Sequence, residues 1–541
     1  MKKIREFASA HKLNATKVLL ICVFAALVLI PLVRMLININ GESLKSVLSQ
    51  ESFLSLISNS LVATALSTLT VLILAYVLAI CVERTNIKGK EILNILLVLP
   101  MLIPSISHGM GLVVMFGNNG LITRILGFGG NIYGLQGIIL GSVMYAFPVA
   151  YLMIADVLKY QDCSPYQAAD ILGIPKWRQF TSITLPYLRK PLISVTLAVF
   201  TMIITDYGVP LMVGGMYKTL PVVLYQEIIG QLNFEKGSVY GLILLIPAVI
   251  GFIFDVLNKD KGNSTFVSGK MLIKKNKLRD GAAYIFCGCI CFFLMLPIIV
   301  FGILAFSKRY PSDISFTIKN ISDALRLNAG TYMLNSVKIA ILVAVIGVVL
   351  AFVTAYLTSR AKTKMSKALH LFAITSAAVP GVVLGLSYIL TFKGSFIYGT
   401  LAILIMANII HFISSPYLMM YNSLSKLNEN LENVGKTIGV SRFRIIIDVI
   451  IPQCKLTLME MFSYFFVNSM MTISAVSFLS TTKTKPVALM INQFEAQMQL
   501  EEAAVVSLAI LLVNLLIKGI VALIKKISTK KKVSVFTEEA M

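Results

Sequence analysis

The strongest constraint on this chain is a series of long apolar runs, each able to cross a lipid bilayer as a helix. A spanning helix needs about 20 mostly apolar residues. Such runs recur along all 541 residues, of which 57% are hydrophobic and only 13% charged. This composition does not suit a water-facing surface. We therefore expect an all-α, polytopic membrane protein with about twelve transmembrane helices.

The expected spans lie near residues 18–37, 56–81, 92–116, 135–158, 193–213, 237–257, 282–306, 334–358, 368–392, 397–421, 458–479 and 503–524.

The net charge of +23 could indicate nucleic-acid binding, so the placement of the 48 Lys and Arg residues is informative. With the N-terminus in the cytoplasm, most of them fall in segments on the inner side, as the positive-inside rule requires. The basic balance then reflects topology and contact with anionic membrane lipid. We expect a multi-pass protein of the cell membrane with both termini cytoplasmic and no nucleic-acid partner.

A repeat at an offset of 276 residues divides the chain into two similar halves. It pairs Asn59-Ser60 with Asn335-Ser336, Arg84 with Arg360, Pro104 with Pro380 and Gly109 with Gly385. Six helices per half is an even number, so the two halves share one orientation and leave a path between them. We expect a first half at 1–257, a basic cytoplasmic linker at 258–281 and a second half at 282–541.

A second pattern lies between the fourth and fifth expected spans of each half, in loops at about 159–192 and 422–457. Gly173 is followed by Pro186 and Gly439 by Pro452 at the same interval, with an aromatic and basic stretch at matching places. Each loop is predicted to form a short helix, a glycine turn with positive φ, and a second short helix closed by the proline. The alternative is a basic amphipathic segment lying on lipid.

This pattern resembles the signature of binding-protein-dependent ABC importer permeases, which is Glu-Ala-Ala, three residues, Gly, nine residues, Ile, one residue and Leu-Pro. The first loop matches at Gln167, Ala168, Ala169, Gly173, Ile183, Leu185 and Pro186, with Gln167 in place of the acid. In the second loop Asn433, Val434 and Gly435 take the leading positions beside Glu432, and Gly439, Val449, Ile451 and Pro452 keep the rest.

The resemblance covers nearly the whole chain and implies a permease fold of the MetI-like type. It also implies that each loop docks on a cytoplasmic ATPase subunit and couples ATP hydrolysis to the membrane helices. The implied partners are two such subunits and an external substrate-binding protein. The weaker second copy predicts unequal coupling by the two loops.

The sequence offers no site for catalysis or for a resident cofactor. It contains no Walker motif, so ATP hydrolysis is expected in a separate subunit. It also lacks a clustered His, Cys and carboxylate constellation that would hold a metal or activate a nucleophile. We expect a transport protein and not an enzyme.

Asp206 and Tyr207 are the candidate residues for lining the substrate path. An ionisable group in a span costs about 2.5–3.5 kcal/mol, so Asp206 is a functional candidate by default. It lies within Thr205-Asp206-Tyr207-Gly208-Val209-Pro210, where glycine and proline could open the helix toward a cavity. The alternative is a structural aspartate that caps a broken helix or pairs with a neighbouring lysine.

The substrate is predicted from resemblance alone. The Asp206 to Pro210 stretch and the segment before the sixth span look most like the 2-aminoethylphosphonate branch of the family, with ferric iron, thiamine and polyamines as alternatives. The rival class is an ion-coupled secondary transporter. Such carriers commonly place paired carboxylates at mid-membrane, whereas Asp206 has no acidic counterpart in the eleventh expected span.

Overall fold

A computed structural model describes residues 2–127, 131–258, 273 and 275–538 of the chain. It confirms the all-α prediction. The strands among these residues are β1 (Ser307–Arg309) and β2 (Asp313–Phe316), which pair antiparallel with Ser307 opposite Phe316. Of the predicted linker, residues 259–272 and 274 lie outside the described residues.

The helices of the first half are α1 (Lys2–Phe24), α2 (Ile30–Ile37), α3 (Gly41–Leu48), α4 (Phe53–Glu83), α5 (Lys90–Val98), α6 (Ser105–Phe116), α7 (Leu121–Leu126), α8 (Leu135–Lys159), α9 (Ser164–Ile171), α10 (Lys176–Gln179), α11 (Leu185–Ile204), α12 (Gly208–Val213), α13 (Leu220–Ile229) and α14 (Phe234–Leu257).

The helices of the second half are α15 (Lys277–Ala305), α16 (Lys319–Arg326), α17 (Ala329–Ser359), α18 (Lys364–Thr375), α19 (Gly381–Phe392), α20 (Leu401–Phe412), α21 (Ser414–Ser425), α22 (Leu431–Thr437), α23 (Arg442–Ile445), α24 (Ile451–Gln453), α25 (Lys455–Met471), α26 (Ala488–Ala496) and α27 (Leu500–Glu538). Short π turns join α1 to α2 (Ala25–Leu29), α10 to α11 (Phe180–Thr184) and α23 to α24 (Ile446–Ile450).

Eight helices in the described part of the chain are long and apolar enough to cross a membrane, and three bent helix pairs raise the number to as many as 11. The fifth and the eleventh expected spans end eight or more residues earlier than predicted. The fifth, 193–213, ends at Ile204 because the chain unwinds at Thr205 to Tyr207 before α12. The eleventh, 458–479, corresponds to α25, which has 17 residues and ends at Met471.

Proline and glycine of the repeat account for matching bends in the two halves. Pro104 and Pro380 immediately precede α6 and α19 at bends of 97° and 105°. Proline lacks the N–H that would continue a helix through the bend. Gly109 and Gly385 then let these helices pack closely, on Met212 of α12 and on the backbone of Ala475 respectively. Small residues serve this purpose in membranes, where close helix approach drives packing.

The first helix of each half packs against the other half. Helix α2 lies against α19, and α15 lies against α5 and α6. The Tyr388 hydroxyl donates to the carbonyl of Leu27 (2.9 Å), and Lys17 Nζ donates to the carbonyl of Ala361 (2.6 Å) and to Thr363 (2.9 Å). The two halves are therefore interlocked.

Replacing Gly385 by alanine should destabilise the protein, because the new Cβ would lie 2.8 Å from the backbone oxygen of Ala475. Overpacking of this kind costs about 1–3 kcal/mol. The matched control is Gly302→Ala on α15, where a Cβ meets nothing within 4 Å. Thermal unfolding in detergent should show a lower midpoint for Gly385→Ala only. Equal midpoints would contradict the close packing of α19 on Ala475.

Candidate functional site

The two loops that carry the repeated glycine lie at the same end of the helix bundle, called the loop end here. Asp280 at the start of α15 accepts a hydrogen bond from the backbone just beyond α4, next to the first loop (3.3 Å). The Tyr310 N–H, just beyond α15, donates to Glu501 at the start of α27 (2.6 Å), so these helices run antiparallel. Lys525, further along α27, pairs with Glu460 beside the second loop. The far part of α27 and the start of α15 lie at the same end, so the two loops do as well.

Both loops contain the predicted helix and glycine turn. Gly173 follows α9 with φ +66°, and Gly439 follows α22 with φ +77°. The N–H of Ile174 donates to the carbonyl of Ala169 (2.9 Å), and the N–H of Val440 donates to that of Gly435 (2.8 Å). This bond satisfies a carbonyl at the helix end, and the positive φ that it needs favours glycine.

The prediction that a proline closes the second short helix is wrong. In the first loop α10 continues through the π turn Phe180–Thr184 into α11, and Pro186 lies at the start of α11. In the second loop α23 continues through Ile446–Ile450 into α24, with Pro452 at the same place. A proline inside a continuous helical segment has no N–H for a carbonyl of the preceding turn, and in both loops a π turn ends just before the proline.

The signature residues divide into a buried and an exposed set. Ala169, Glu432 and Gly435 are buried, and Ile183, Val449 and Ile451 are partly buried. Gln167, Ala168, Gly173, Leu185, Pro186, Asn433, Gly439 and Pro452 are exposed.

An arginine at the end of a long helix holds each loop in place. In the first half, Arg84 at the end of α4 donates to the side chain of Gln161 (2.5 Å) and lies over the ring of Tyr166 (5.5 Å). Gln161 donates to the Tyr166 hydroxyl (2.8 Å), which lies 2.7 Å from the hydroxyl of Thr184. Helix α4, α9 and the π turn are thereby joined by one hydrogen-bond network.

In the second half the equivalent arginine forms a buried ion pair instead. Arg360, at the end of α17, donates to both carboxylate oxygens of Glu432 (2.9 and 2.5 Å) and to the carbonyl of Leu427 (2.9 Å). Burial alone would raise the pKa of Glu432, but the Arg360 hydrogen bond and charge, together with Arg442, hold that pKa below its usual range. The carboxylate therefore stays ionised at neutral pH.

The second loop has Gly435 where the signature has alanine, and a change at a neighbouring position, Ile445, accompanies this difference. In the first loop the amide of Gln179 donates to Asp170 (2.6 Å) and to the carbonyl of Ile174 (2.8 Å). Ile445 occupies the equivalent position in the second loop, and a Cβ on Gly435 would lie 2.1 Å from its Cδ1. Glycine replaces alanine because isoleucine fills the space.

Each loop exposes large apolar side chains among basic ones. The first exposes Ile171, Leu172 and Trp177, which are 86%, 74% and 65% exposed, beside Lys176 and Arg178. The second exposes Val434, Ile438 and Phe443, which are 57%, 70% and 72% exposed. A groove of about 470 Å³ lies between α22 and α23, with Val434, Ile438 and Val449 in its lining.

Asp206 lies at the predicted helix break and makes the contacts of a capping residue. Its carboxylate accepts from the N–H groups of Gly208 (3.3 Å) and Val209 (3.0 Å) at the start of α12. It also borders a small space that Thr64 and Thr219 help to line. These bonds fit the structural alternative, and the path-lining role of Asp206 stays a prediction.

Tyr207 lies where the two halves meet. Its hydroxyl is 2.8 Å from that of Ser477, and its ring stacks on Tyr225 at 4.7 Å between centroids. The Tyr225 hydroxyl accepts from Asn492 Nδ2 (3.1 Å). Ser477, Tyr225 and Asn492 were not singled out from the sequence, since an uncharged polar residue carries little signal without knowledge of its neighbours.

The described residues contain no group of three or more His, Cys, Asp or Glu side chains that could hold a metal ion.

The family model for the inner membrane component of binding-protein-dependent transport systems matches the chain twice, at residues 72–259 and 345–529. The chain belongs to this family. It is thus a fused, double-length permease whose two matched regions agree with the repeat. Membrane transport and an inner-membrane location follow from the family.

The permease is similar to ferric transport proteins along most of its length. It is 25% identical over 461 residues to the putative ferric transport system permease protein FbpB 1 of Haemophilus influenzae, covering 82% of this chain and 73% of that protein. It is also 25% identical over 472 residues to the ferric transport system permease protein FbpB of Actinobacillus pleuropneumoniae, covering 84% and 69%. A shorter match is to the thiamine transport system permease protein ThiP of H. influenzae, with 24% identity over 194 residues that cover 35% of this chain and 36% of that protein.

Replacing Glu432 by glutamine should destabilise the second loop, because Arg360 would stay buried without its counter-charge. Breaking a buried pair costs about 3–5 kcal/mol, and the remaining amide oxygen should keep the loss at or below the low end of that range. The matched control is Glu429→Gln, which removes an exposed pair with Lys362 in the same region (2.7 Å). Thermal unfolding in detergent should separate the two variants.

The same pair should give the native permease an acid-sensitive component of stability. A carboxylate with a lowered folded-state pKa stabilises the fold above the ordinary carboxyl pKa, and the stabilisation is lost as the pH falls through the lowered value. The difference in unfolding midpoint between native and Glu432→Gln permease should therefore shrink on acidification. A constant difference down to strongly acidic pH would contradict the ion pair.

Proposed function

We propose that this permease forms the transmembrane channel of an ATP-driven importer, with its two loops as docking sites for cytoplasmic ATPase subunits. The observation that carries the proposal is the pair of equivalent loops at one end of a bundle whose two halves both match the family. The excess of Lys and Arg in segments on that side favours a cytoplasmic loop end and cytoplasmic termini. An external substrate-binding protein would then deliver the substrate at the opposite end.

The exposed surfaces of the two loops support docking on another protein. Trp177 and Phe443 occupy equivalent positions, and each is at least 65% exposed next to arginines. Aromatic and arginine side chains are the residues most enriched in protein interfaces and their energetic centres. A segment lying on lipid would direct these rings into the bilayer, whereas in a docking knob formed by the two short helices that meet at Gly173 or Gly439 they would face the ATPase subunit.

The two loops differ enough for their contributions to coupling to be unequal. The first is joined to α4 through hydrogen bonds from Arg84 to Gln161 and from Gln161 to Tyr166, and the second to α17 through the Arg360–Glu432 ion pair. The side chains of Arg360 and Glu432 are only 3% and 7% exposed, so salt screens their attraction weakly. Acid protonates Glu432 and removes this ion pair, so we expect the first loop to keep its attachment at a lower pH than the second.

Ferric iron is the proposed substrate. Two relatives whose similarity extends over 82–84% of this chain are named ferric transport permeases. The thiamine permease matches about a third of the chain, and the comparisons give no support to 2-aminoethylphosphonate. The ion would reach the permease as cargo of its binding protein, so the described residues need no metal-binding cluster of their own.

Docking is tested with a Gly173→Asp, Gly439→Asp double variant reconstituted with the ATPase and binding protein. Both substitutions strain a φ-positive turn and place a charge on the docking knob, so the ATPase should no longer co-purify and ATP-dependent uptake should be lost. The control is Gly394→Asp, which strains a φ-positive glycine between α19 and α20, far from the loops. Undiminished ATPase binding by a correctly inserted double variant would refute the docking role.

The energy source and substrate are tested in the same proteoliposomes with radioactive ferric iron and 2-aminoethylphosphonate. Iron uptake that needs internal ATP and the binding protein, and that survives a protonophore, is expected. Uptake driven by an ion gradient without ATP would make the permease a secondary transporter. Uptake of 2-aminoethylphosphonate without iron uptake would overturn the proposed substrate.

A further inference from the structure

The repeated Asn-Ser pair holds a short helix at the end of the bundle opposite the loops, here called the far end. The N–H of Leu220, at the start of α13, donates to the hydroxyl of Ser60 on α4 (2.8 Å). The N–H of Val487, at the start of α26, donates to the hydroxyl of Ser336 on α17 (2.8 Å). Each serine thus satisfies a backbone donor that a helix start would otherwise leave unpaired.

The preceding asparagine adds a second bond in each half. Asn59 Nδ2 donates to the carbonyl of Lys218 (3.4 Å), and Asn335 Nδ2 donates to that of Lys483 (2.9 Å). In the first half the Tyr217 hydroxyl also donates to the carbonyl of Asn59 (3.2 Å). In each half, two adjacent residues of a long helix therefore bind an N–H at the start of the short helix and a carbonyl in the loop just before it.

The two short helices meet at the axis that relates the halves. Tyr225 stands five residues after Leu220, and Asn492 five residues after Val487, so the two occupy equivalent positions. Asn492 donates to the Tyr225 hydroxyl (3.1 Å). A residue and its symmetry equivalent can touch only close to the axis between them. The Tyr225–Asn492 bond therefore closes the space between the halves on that axis.

The same two long helices carry the arginines that hold the loops. Helices α4 and α17 each have 31 residues and run without a break. Ser60 and Arg84 are 24 residues apart, as are Ser336 and Arg360. That interval spans about 36 Å of helix at 1.5 Å per residue. Each helix is thus bonded at one end to a loop and at the other to a short helix that reaches the axis.

We propose that α4 and α17 act as two struts, and that the Asn59-Ser60 and Asn335-Ser336 pairs are positioning residues that make α13 and α26 follow strut movement. When a loop moves, it displaces the end of the strut that carries Arg84 or Arg360. The strut moves as a rigid helix, and the Asn-Ser pair at its other end moves the short helix with it. Tyr225 and Asn492 then separate and open the far end of the path. The proposal rests on the docking function proposed above.

The test measures the distance between the two short helices directly. Tyr225→Cys and Asn492→Cys are introduced into a permease whose seven native cysteines have been replaced, and the pair is joined by a short bis-maleimide. Cross-linking should be efficient in the resting complex and should fall several-fold when ATP and vanadate trap the complex with its ATPase and binding protein. The cross-linked permease should retain its ATPase and lose uptake.

The anchors are tested by repeating the measurement with Ser60→Ala, Ser336→Ala in the same background. The short helices should no longer follow the struts, so cross-linking should stay high on trapping while the ATPase still co-purifies. Restoring a hydroxyl with Ser60→Thr, Ser336→Thr should restore the fall, which guards against simple misfolding. The matched control is Thr70→Val, Thr354→Val, whose hydroxyls donate within their own struts to Leu66 and Leu350.

The outcomes separate this proposal from the docking proposal. Absence of the ATPase from the native complex would contradict docking. An ATPase that binds and is trapped, with a cross-linking yield that does not change, would contradict the struts alone. A fall of the same size in the Ser→Ala variant would show that the serine hydroxyls do not position the short helices.

Discussion

In a lipid bilayer, a backbone group released from a helix must find its hydrogen-bond partner inside the protein, and the architecture of this permease follows from that requirement. At the starts of α12, α13 and α26, a side chain supplies this partner. Asp206 takes the N–H groups freed where α12 begins. Ser60 and Ser336 do the same for α13 and α26 from neighbouring helices. Tyr207, Tyr225 and Asn492 bring these three segments into contact with the other half, where irregular backbone can be covered by protein.

The two halves share the backbone shape of their loops but differ in the side-chain bonds that support it. Both loops end a helix with a φ-positive glycine, enter a π turn and place a proline at the start of the next helix. The bonds that support this shape differ, since a network around Tyr166 in one half is replaced by the Arg360–Glu432 pair in the other. Shape is what a partner surface would recognise, whereas the internal support is free to change when neighbouring residues change with it.

The sequence predicted the membrane class, the two-fold repeat and the glycine turns because each leaves a periodic or duplicated pattern. It failed where the outcome depends on contacts between distant segments. Pro186 was expected to close a helix, but a π turn absorbs the irregularity and the helix continues. Tyr225 and Asn492 differ in type, so a search for repeated residues passes over them although they touch. The roles of Asn59 and Arg84 also needed the fold, since a repeat marks a position without naming its partner.

The exchange of first helices between the halves has a consequence for how the chain is made. Helix α2 finds its packing surface on α19, and Lys17 its acceptors beyond α17, in parts of the chain synthesised hundreds of residues later. During insertion the first helix therefore enters the membrane before α19, which it packs against, has been made. The first half cannot reach its final packing before most of the second half has entered the membrane. A single polypeptide guarantees that the awaited partner arrives beside it in equal amount.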